Sequence, residues 1–176
     1  MKKNRTANTL TAFLLLGFLF GCETLDTEKA KKDPSYVLTI NEIVKQQTRS
    51  KEIEKDVPTF GGKTICVNTN AFLHSRNVQE IEIIPSAERK GFYDLELRLD
   101  YHGKNIWMQL SVNKAFTKLG FLIDGVYYSS IMPDKISTED DDIVYLRGPF
   151  DPVTAKALKD NARSNYKYFN GEPKER

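Results

Sequence analysis

The stretch that decides the fold is YDLELRLD, at residues 93–100, in which apolar and charged side chains alternate strictly. Since successive side chains of a strand point to opposite faces, its apolar residues share one face. They are Tyr93, Leu95, Leu97 and Leu99. The pattern predicts an antiparallel strand with one face in the core and the charged face in water.

A hairpin is predicted downstream of this strand. Two β-rich runs, LGFLI at 119–123 and VYYSSI at 126–131, flank Asp124-Gly125, which is a strong signal for a two-residue hairpin turn. Other strands are predicted at 57–60, 63–68, 80–84 and 143–146. Gly61-Gly62 joins the first two of these, and Gly148-Pro149 is expected to close the last.

Helical patterns follow the strands at two places. Residues 104–118 carry apolar side chains at spacings of three and four, which predicts a helix whose stripe faces the sheet. That stripe comprises Met108, Val112, Ala115, Phe116 and Leu119. A final helix is predicted from Asp151, an N-cap followed by Pro152, to about Asn165. Its expected inward residues are Val153, Ala157 and Leu158.

The fold class predicted from these elements is α+β, a small, mostly antiparallel sheet with two helices packed on it. Two weaker signals add local detail. Apolar residues at helical spacing within 36–51, with Thr39 and Glu42 as a capping box, predict a short helix. Ser75 is expected to cap a single helical turn before the strand at 80–84.

The first 21 residues have the anatomy of a signal peptide. A positive start is followed by an apolar run at 10–20, which is too short to span a bilayer. LFGC, at 19–22, resembles the lipobox of bacterial lipoproteins, which implies a diacylglycerol on Cys22, cleavage before it and acylation of the new amine. The alternative is an ordinary secretory signal with a chance cysteine. Because Glu23 rather than aspartate follows Cys22, the outer membrane is favoured if the cell has two membranes.

The predicted domain organisation follows from this beginning. A signal peptide occupies 1–21, the lipidated Cys22 and a polar flexible tether occupy 22–35, a single α+β domain occupies 36–169, and a flexible tail occupies 170–176. The second cysteine, Cys66, is expected to be buried in a strand as a small apolar side chain.

Composition excludes several classes of function. Without Lys2, Lys3 and Arg5 the chain has 23 basic and 24 acidic residues, so a nucleic-acid partner is not predicted. His74 and His102 have no ligands at zinc spacing, and the acidic run 139–142 lacks the pattern of a calcium loop. No nucleophile motif is present, so no enzyme, metal site or cofactor is predicted.

Aromatic residues supply the remaining candidates for a binding site. Tyr127 and Tyr128 are adjacent in a predicted strand and therefore point to opposite faces, so one of them is exposed unless it is covered. Together with Glu139, in the polar excursion that follows, they are the predicted contacts for a partner.

The order of elements resembles the first periplasmic head subdomain of the SecD and SecDF translocase subunits. The resemblance covers about 62–162 and rests on LIDGV at 122–126, SIMP at 130–133, LRG at 146–148 and the helix at 155–162. It implies the fold, and contact with another polypeptide. The transmembrane bundle with the proton-relay residues of that family has no counterpart here, so a proton-driven motor is not implied.

The function predicted from the sequence is that of an envelope lipoprotein, bound to the bilayer through acylated Cys22 and acting as a protein-interaction module. Its partner is expected to be another envelope protein, contacted at a sheet edge or at the hairpin around Asp124-Gly125. The alternative is a lipoprotein that binds a small ligand or a glycan in a pocket.

Overall fold

A computed structural model describes residues 33–45, 52–134 and 142–171. Within these residues the chain forms nine strands and two α-helices. The strands are β1 (Leu38–Glu42), β2 (Glu54–Pro58), β3 (Thr64–Asn68), β4 (Leu73–His74), β5 (Val78–Pro85), β6 (Tyr93–Leu99), β7 (Leu119–Ile123), β8 (Val126–Ile131) and β9 (Ile143–Phe150). The helices are α1 (Tyr101–Asn113) and α2 (Pro152–Asn170), and a 3-10 turn occupies Ser75–Asn77. The predicted α+β class is confirmed.

The strands pair antiparallel in three sheets. Their orders are β4-β1-β7-β8, β2-β3 and β5-β6-β9. Side chains from the first and third sheets and from both helices meet in one hydrophobic core, whose largest members include Trp107, Phe121 and Phe150. The β2-β3 ribbon has its own small cluster around Val57, Val67 and Leu122. Cys66 lies in β3 and is half-buried rather than buried.

The predicted short helix at 36–51 is wrong, because the chain is extended from Leu38 to Glu42 as β1. β1 lies between β4 and β7, and Leu38 and Ile40 point into the core. Its apolar residues fit the period of a helix as well as that of a strand. Pairing with β4 and β7 satisfies its backbone N–H and C=O groups when the chain is extended. Tertiary contact therefore decides this segment.

The hairpin at Asp124-Gly125 is confirmed, and both residues have the positive φ angles of a two-residue hairpin turn. The turn also fixes the start of the domain. The carboxylate of Asp124 accepts hydrogen bonds from the backbone N–H groups of Tyr36 and Val37, at 3.0 and 2.8 Å. Ser35, at the end of the predicted tether, bonds to side chains of α2.

β9 continues through Gly148-Pro149 to Phe150, so the prediction that the strand closes there is wrong. β9 is the edge of its sheet, where a proline N is tolerated. A buried carboxylate shapes this stretch: Asp94 accepts the Gly148 N–H at 2.6 Å and the Tyr145 hydroxyl at 2.5 Å. The bond to Asp94 raises the pKa of Tyr145. Asp94, expected on the solvent face, is thus part of the interior.

The face that α1 buries differs from the predicted one. The helix begins at Tyr101, because the Asp100 carboxylate caps it by accepting the Gly103 N–H at 2.7 Å. Its buried residues are Gly103, Trp107, Leu110 and Ser111. Trp107 is fully buried and its indole N–H donates to the carbonyl of Asp134. The predicted stripe of Met108, Val112 and Phe116 is therefore turned to solvent, whereas Leu119 is buried in β7.

The start of α2 is as predicted, with Asp151 as N-cap and Pro152 in the first turn. Its buried residues are Ala155, Leu158, Ala162 and Asn165. Leu158 confirms part of the inward face, but Val153 is exposed and the helix extends to Asn170. α2 packs on β5 and on the 3-10 turn, where Asn170 donates to the Arg76 carbonyl.

Candidate functional site

Four exposed apolar side chains lie on the outer face of α1 and just after its end, and we call them the α1 face. Its members are Tyr101, Met108, Val112 and Phe116. At about 100° per residue the first three lie within roughly 40° of one another around the helix axis. Phe116 follows just beyond the helix end and is 97% exposed, and Val112 is 72% exposed. An apolar stripe of this kind is a mark of an interaction surface, since it gains free energy when water is excluded.

The charged residues within the segment that carries the α1 face are all basic. Between Tyr101 and Lys118 the chain has three lysines and no aspartate or glutamate. The lysines are Lys104, Lys114 and Lys118. Lys114 is bonded to Glu42 at 2.7 Å, which ties the end of the helix to β1. Lys118, which is exposed and lies two residues after Phe116, leaves a positive charge beside the apolar side chains, which suits a partner that offers apolar side chains beside carboxylates.

A polar cleft of about 500 Å³ lies where α1 begins, beside β1, β4 and the 3-10 turn. Its lining residues are Thr39, Asn41, Thr69, Asn70, Ala71, Phe72, His74, Arg76, Asn77, His102 and Ile106. The chain has two histidines, and both line this cleft although 27 residues separate them in sequence. The basic residues here are Arg76 and the two imidazoles, and none of the lining residues is acidic.

His74 is held in a defined state by its neighbours. Its Nδ1 accepts the Arg76 backbone N–H at 3.0 Å, which caps the 3-10 turn. Its ring packs edge-on against the ring of Phe169, with the ring centroids 4.6 Å apart. Burial, and next the positive charge of Arg76, lower the pKa of His74. The imidazole is therefore neutral near pH 7 with its proton on Nε2, which is a donor. The helical turn predicted there is confirmed, with His74 rather than Ser75 as its cap.

Asn41 adds an unsatisfied acceptor to the cleft lining. Its side chain is buried, with 5% of the residue exposed, and its Nδ2 donates to the Asn68 carbonyl at 2.9 Å. Its Oδ1 is buried and has no hydrogen-bond partner among the described residues. A buried acceptor left in this state costs free energy, and Asn41 is one of the residues that line the cleft.

The predicted contact residues Tyr127 and Tyr128 are both half-buried. Tyr128 stacks on Phe150 with ring centroids 5.5 Å apart, and its hydroxyl donates to the Asp151 carboxylate at 2.9 Å. Burial raises the pKa of Tyr128. Tyr127 packs with the β2-β3 cluster and forms a bridge with Thr59. Each tyrosine therefore has a structural partner, and their contact with another protein stays a prediction.

Cys22 and Glu139 lie outside the described residues, so the predicted lipid anchor and the third predicted contact keep the status of predictions. The sequence did not single out the cleft, because its residues come from segments far apart in the chain.

Over the described ranges no three His, Cys, Asp or Glu side chains are grouped to hold a metal ion. In the same ranges no helix combines the length and apolar character needed to cross a membrane.

Comparison with known proteins gives a fold and no family. No family model and no curated protein matches the chain. Among solved structures it is similar to SecDF, described as a membrane component that enhances protein export, with a TM-score of 0.51 and 13% identity over 93% of this chain and 71% of that one. It is equally similar to SecDF in a super-membrane-facing form, with a TM-score of 0.51 and 13% identity over 73% of this chain and 19% of that one. The likeness supports the predicted SecD-like fold of the domain.

Proposed function

We propose that this protein is a lipid-anchored envelope protein that binds another envelope protein through the α1 face. The exposure of Val112 and Phe116 carries the proposal. A helix that buries Trp107 and Leu110 gains nothing for its own fold by placing large apolar side chains on the opposite side. Those side chains are explained by a partner that covers them.

The chemistry of the partner follows from the charges that flank the α1 face. The segment from Tyr101 to Lys118 has three lysines, of which Lys114 is paired with Glu42, and no carboxylates. This excess of positive charge favours a protein surface with acidic residues around an apolar centre. The shared fold with SecDF, a membrane component that enhances protein export, supports a polypeptide as the partner. An anionic bilayer has related chemistry and is the competing occupant in the test below.

Photo-crosslinking from the α1 face tests the proposal. A photo-reactive residue is placed at Val112 or Phe116 in cells, with Val153 as the matched control, since Val153 is a helical valine that is 73% exposed on α2. We expect one discrete protein adduct from Val112 and Phe116 and none from Val153. The crosslinked peptide of the partner should carry acidic residues, and Lys118→Glu should lower the adduct yield.

Three results would overturn this assignment. Lipid adducts alone would make the bilayer the occupant of the α1 face, and equal yields from Val112 and Val153 would show random collision. The same experiment run from Tyr127, Tyr128 and Glu139 tests the contacts predicted from the sequence. An adduct from those sites but not from Phe116 would move the interface to the end of the first sheet and the polar excursion.

The anchor is tested separately. Acyl chains on Cys22 bind the bilayer with about 0.8 kcal/mol for each buried methylene, so two or three chains hold firmly. Cys22→Ser is expected to release the protein from membranes, with Cys66→Ser as the control that leaves it bound. If Cys22→Ser stays in the membrane fraction after a carbonate wash, the lipid anchor is wrong, whatever the α1 face binds.

The alternative function, binding of a small ligand or a glycan, is favoured by a different observation. The polar cleft gathers Arg76, both histidines and an unsatisfied buried carbonyl in one place. Its volume of about 500 Å³ lies within the usual range of about 300–1,000 Å³ for small-molecule sites. It lies at the N-terminal end of α1, whereas Phe116 lies beyond the other end, so the two activities are separable.

A further inference from the structure

We infer that the polar cleft is a binding site for a small carboxylate that also carries a hydroxyl or amide hydrogen-bond donor. The inference goes beyond the proposed protein interaction and does not depend on it. The cleft uses no residue of the α1 face, and its ligand is recognised by polar contacts rather than by apolar burial.

The sign of the ligand's charge follows from the lining. Arg76 has an exposed side chain at the cleft, and a guanidinium binds a carboxylate through two parallel hydrogen bonds. His102, in the first turn of α1, adds an imidazole, and the positive end of the helix dipole lies there. The nearest carboxylate at this helix end, Asp100, is occupied as the cap of Gly103 and is not part of the lining.

Neutral hydrogen-bond donors in the cleft orient the carboxylate that this charge attracts. His74 keeps its Nδ1 engaged with the Arg76 backbone, which leaves Nε2–H as its donor. Thr39 and Asn70 contribute a hydroxyl and an amide to the lining. A carboxylate has about four lone-pair sites, so it can accept from the guanidinium and from such neutral donors together.

The second part of the ligand follows from Asn41. Its Nδ2 is committed to the Asn68 carbonyl, so the amide cannot turn over without losing that bond. The buried Oδ1 is then left needing a donor, which no described residue provides. A plain carboxylate has none to give, whereas a hydroxy acid or an acylated amino acid does. The cleft therefore distinguishes a carboxylate with a neighbouring O–H or N–H from one without.

Two sources share this chemistry, namely an acidic sugar and the carboxyl end of a short peptide. A volume of about 500 Å³ is enough for either. Glucuronate and N-acetyl-dialanine serve as the two probes. Glucose and N-acetyl-dialanine amide are their uncharged counterparts, so each pair isolates the effect of the carboxylate.

The test uses histidine-labelled full chain and NMR. Because the chain has two histidines and both line the cleft, every imidazole signal reports on this site. We expect saturable shifts of both imidazoles with an acid probe at a Kd of about 1 mM or tighter, and no saturable shift with its uncharged counterpart. The acid that binds more tightly identifies the source.

Matched variants locate the binding. Arg76→Gln is expected to weaken the acid probe about tenfold or more, since it removes a charge-assisted pair. Arg163→Gln, an exposed arginine of α2 outside this cleft, should leave the Kd unchanged. Lactate and propionate differ by one hydroxyl, so wild-type protein should prefer lactate and Asn41→Ala should lose that preference.

Several outcomes would overturn the inference. No saturable shift with either acid at roughly 10 mM, ten times the weakest Kd expected, removes the site. Equal binding of acid and uncharged probes refutes the charge argument, and equal loss in the variants of Arg76 and Arg163 refutes the location. If Asn41→Ala does not fold, the ratio of the Kd values of lactate and propionate for the wild-type protein still shows whether the hydroxyl donor of the ligand contributes to binding. None of these results bears on crosslinking from the α1 face.

Discussion

The two helices of this protein have apolar stripes of similar appearance, but they use them in opposite ways. In α2 the residues Ala155, Leu158 and Ala162 repeat at helical spacing and are buried against β5 and the 3-10 turn. In α1 Met108 and Val112 face water, as does Phe116 just beyond the helix end, and the helix packs through Gly103 and Trp107. The period of an apolar stripe therefore does not say whether the chain itself covers it.

The largest expected difference between a buried and an exposed side chain comes from substituting two aromatic residues, one in α1 and one just after it. Trp107→Ala removes a fully buried indole and its bond to the Asp134 carbonyl, and should lower the free energy of unfolding by about 3–5 kcal/mol. Phe116→Ala should change it by less than about 0.5 kcal/mol, because the ring is almost fully exposed.

Urea denaturation followed by circular dichroism measures both changes. A large loss in Phe116→Ala would contradict the exposed position of the stripe and return it to the core. If Phe116→Ala abolishes the adduct formed from Val112 but leaves the stability unchanged, the comparison becomes sharper, because binding is then separated from folding.

A smaller effect is expected from the close approach of α1 to the 3-10 turn. A Cβ on Gly103 would lie 2.9 Å from the Asn77 Cβ and 3.0 Å from the Asn77 carbonyl oxygen. Gly103→Ala should therefore destabilise the protein by about 1–3 kcal/mol, although alanine is the better helix former. Gln109→Ala, at an exposed position of the same helix, should change stability by less than about 0.5 kcal/mol. Equal stability of both variants in urea would show that α1 is not pressed against Asn77.

The cap of α2 gives the smallest effect, and it depends on pH. Burial alone would raise the pKa of Asp151, but hydrogen bonds from Thr154, from Tyr128 and from the Val153 N–H outweigh it and lower the pKa below the usual 3.8. The unfolded carboxyl therefore binds protons more readily than the folded one. This contribution to stability is present above pH 3.8 and is lost as the pH falls through the folded pKa.

Two variants of Asp151 separate the cap from the charge. Asp151→Ala should cost about 1 kcal/mol at neutral pH, because two backbone N–H groups lose their acceptor. Asp151→Asn keeps a capping oxygen, so its deficit against the wild type should be smaller and should shrink below about pH 4. Stability curves from pH 2 to 7 measure this, and a deficit that grows in acid would contradict the lowered pKa.

Elements with local signals were predictable from the sequence. The alternation at 93–100 gave β6, Asp124-Gly125 gave the hairpin of β7 and β8, and Asp151-Pro152 gave the start of α2. Each signal acts within a few residues, through side-chain period, positive φ or a cap. The candidate sites were less predictable, because the polar cleft collects residues from segments between Thr39 and Ile106.

By itself the sequence determined that β6, β7 and β8 are extended, that the chain turns at Asp124-Gly125 and that α2 begins after Asp151, because these depend on the chemistry of neighbouring residues. Only the tertiary structure decided that 38–42 is a strand, that Trp107 rather than Phe116 faces the core, and that both histidines meet at one cleft. The physical reason is that burial and pairing are properties of contacts between distant segments. A stripe of apolar residues has the same period whether a sheet or a partner covers it.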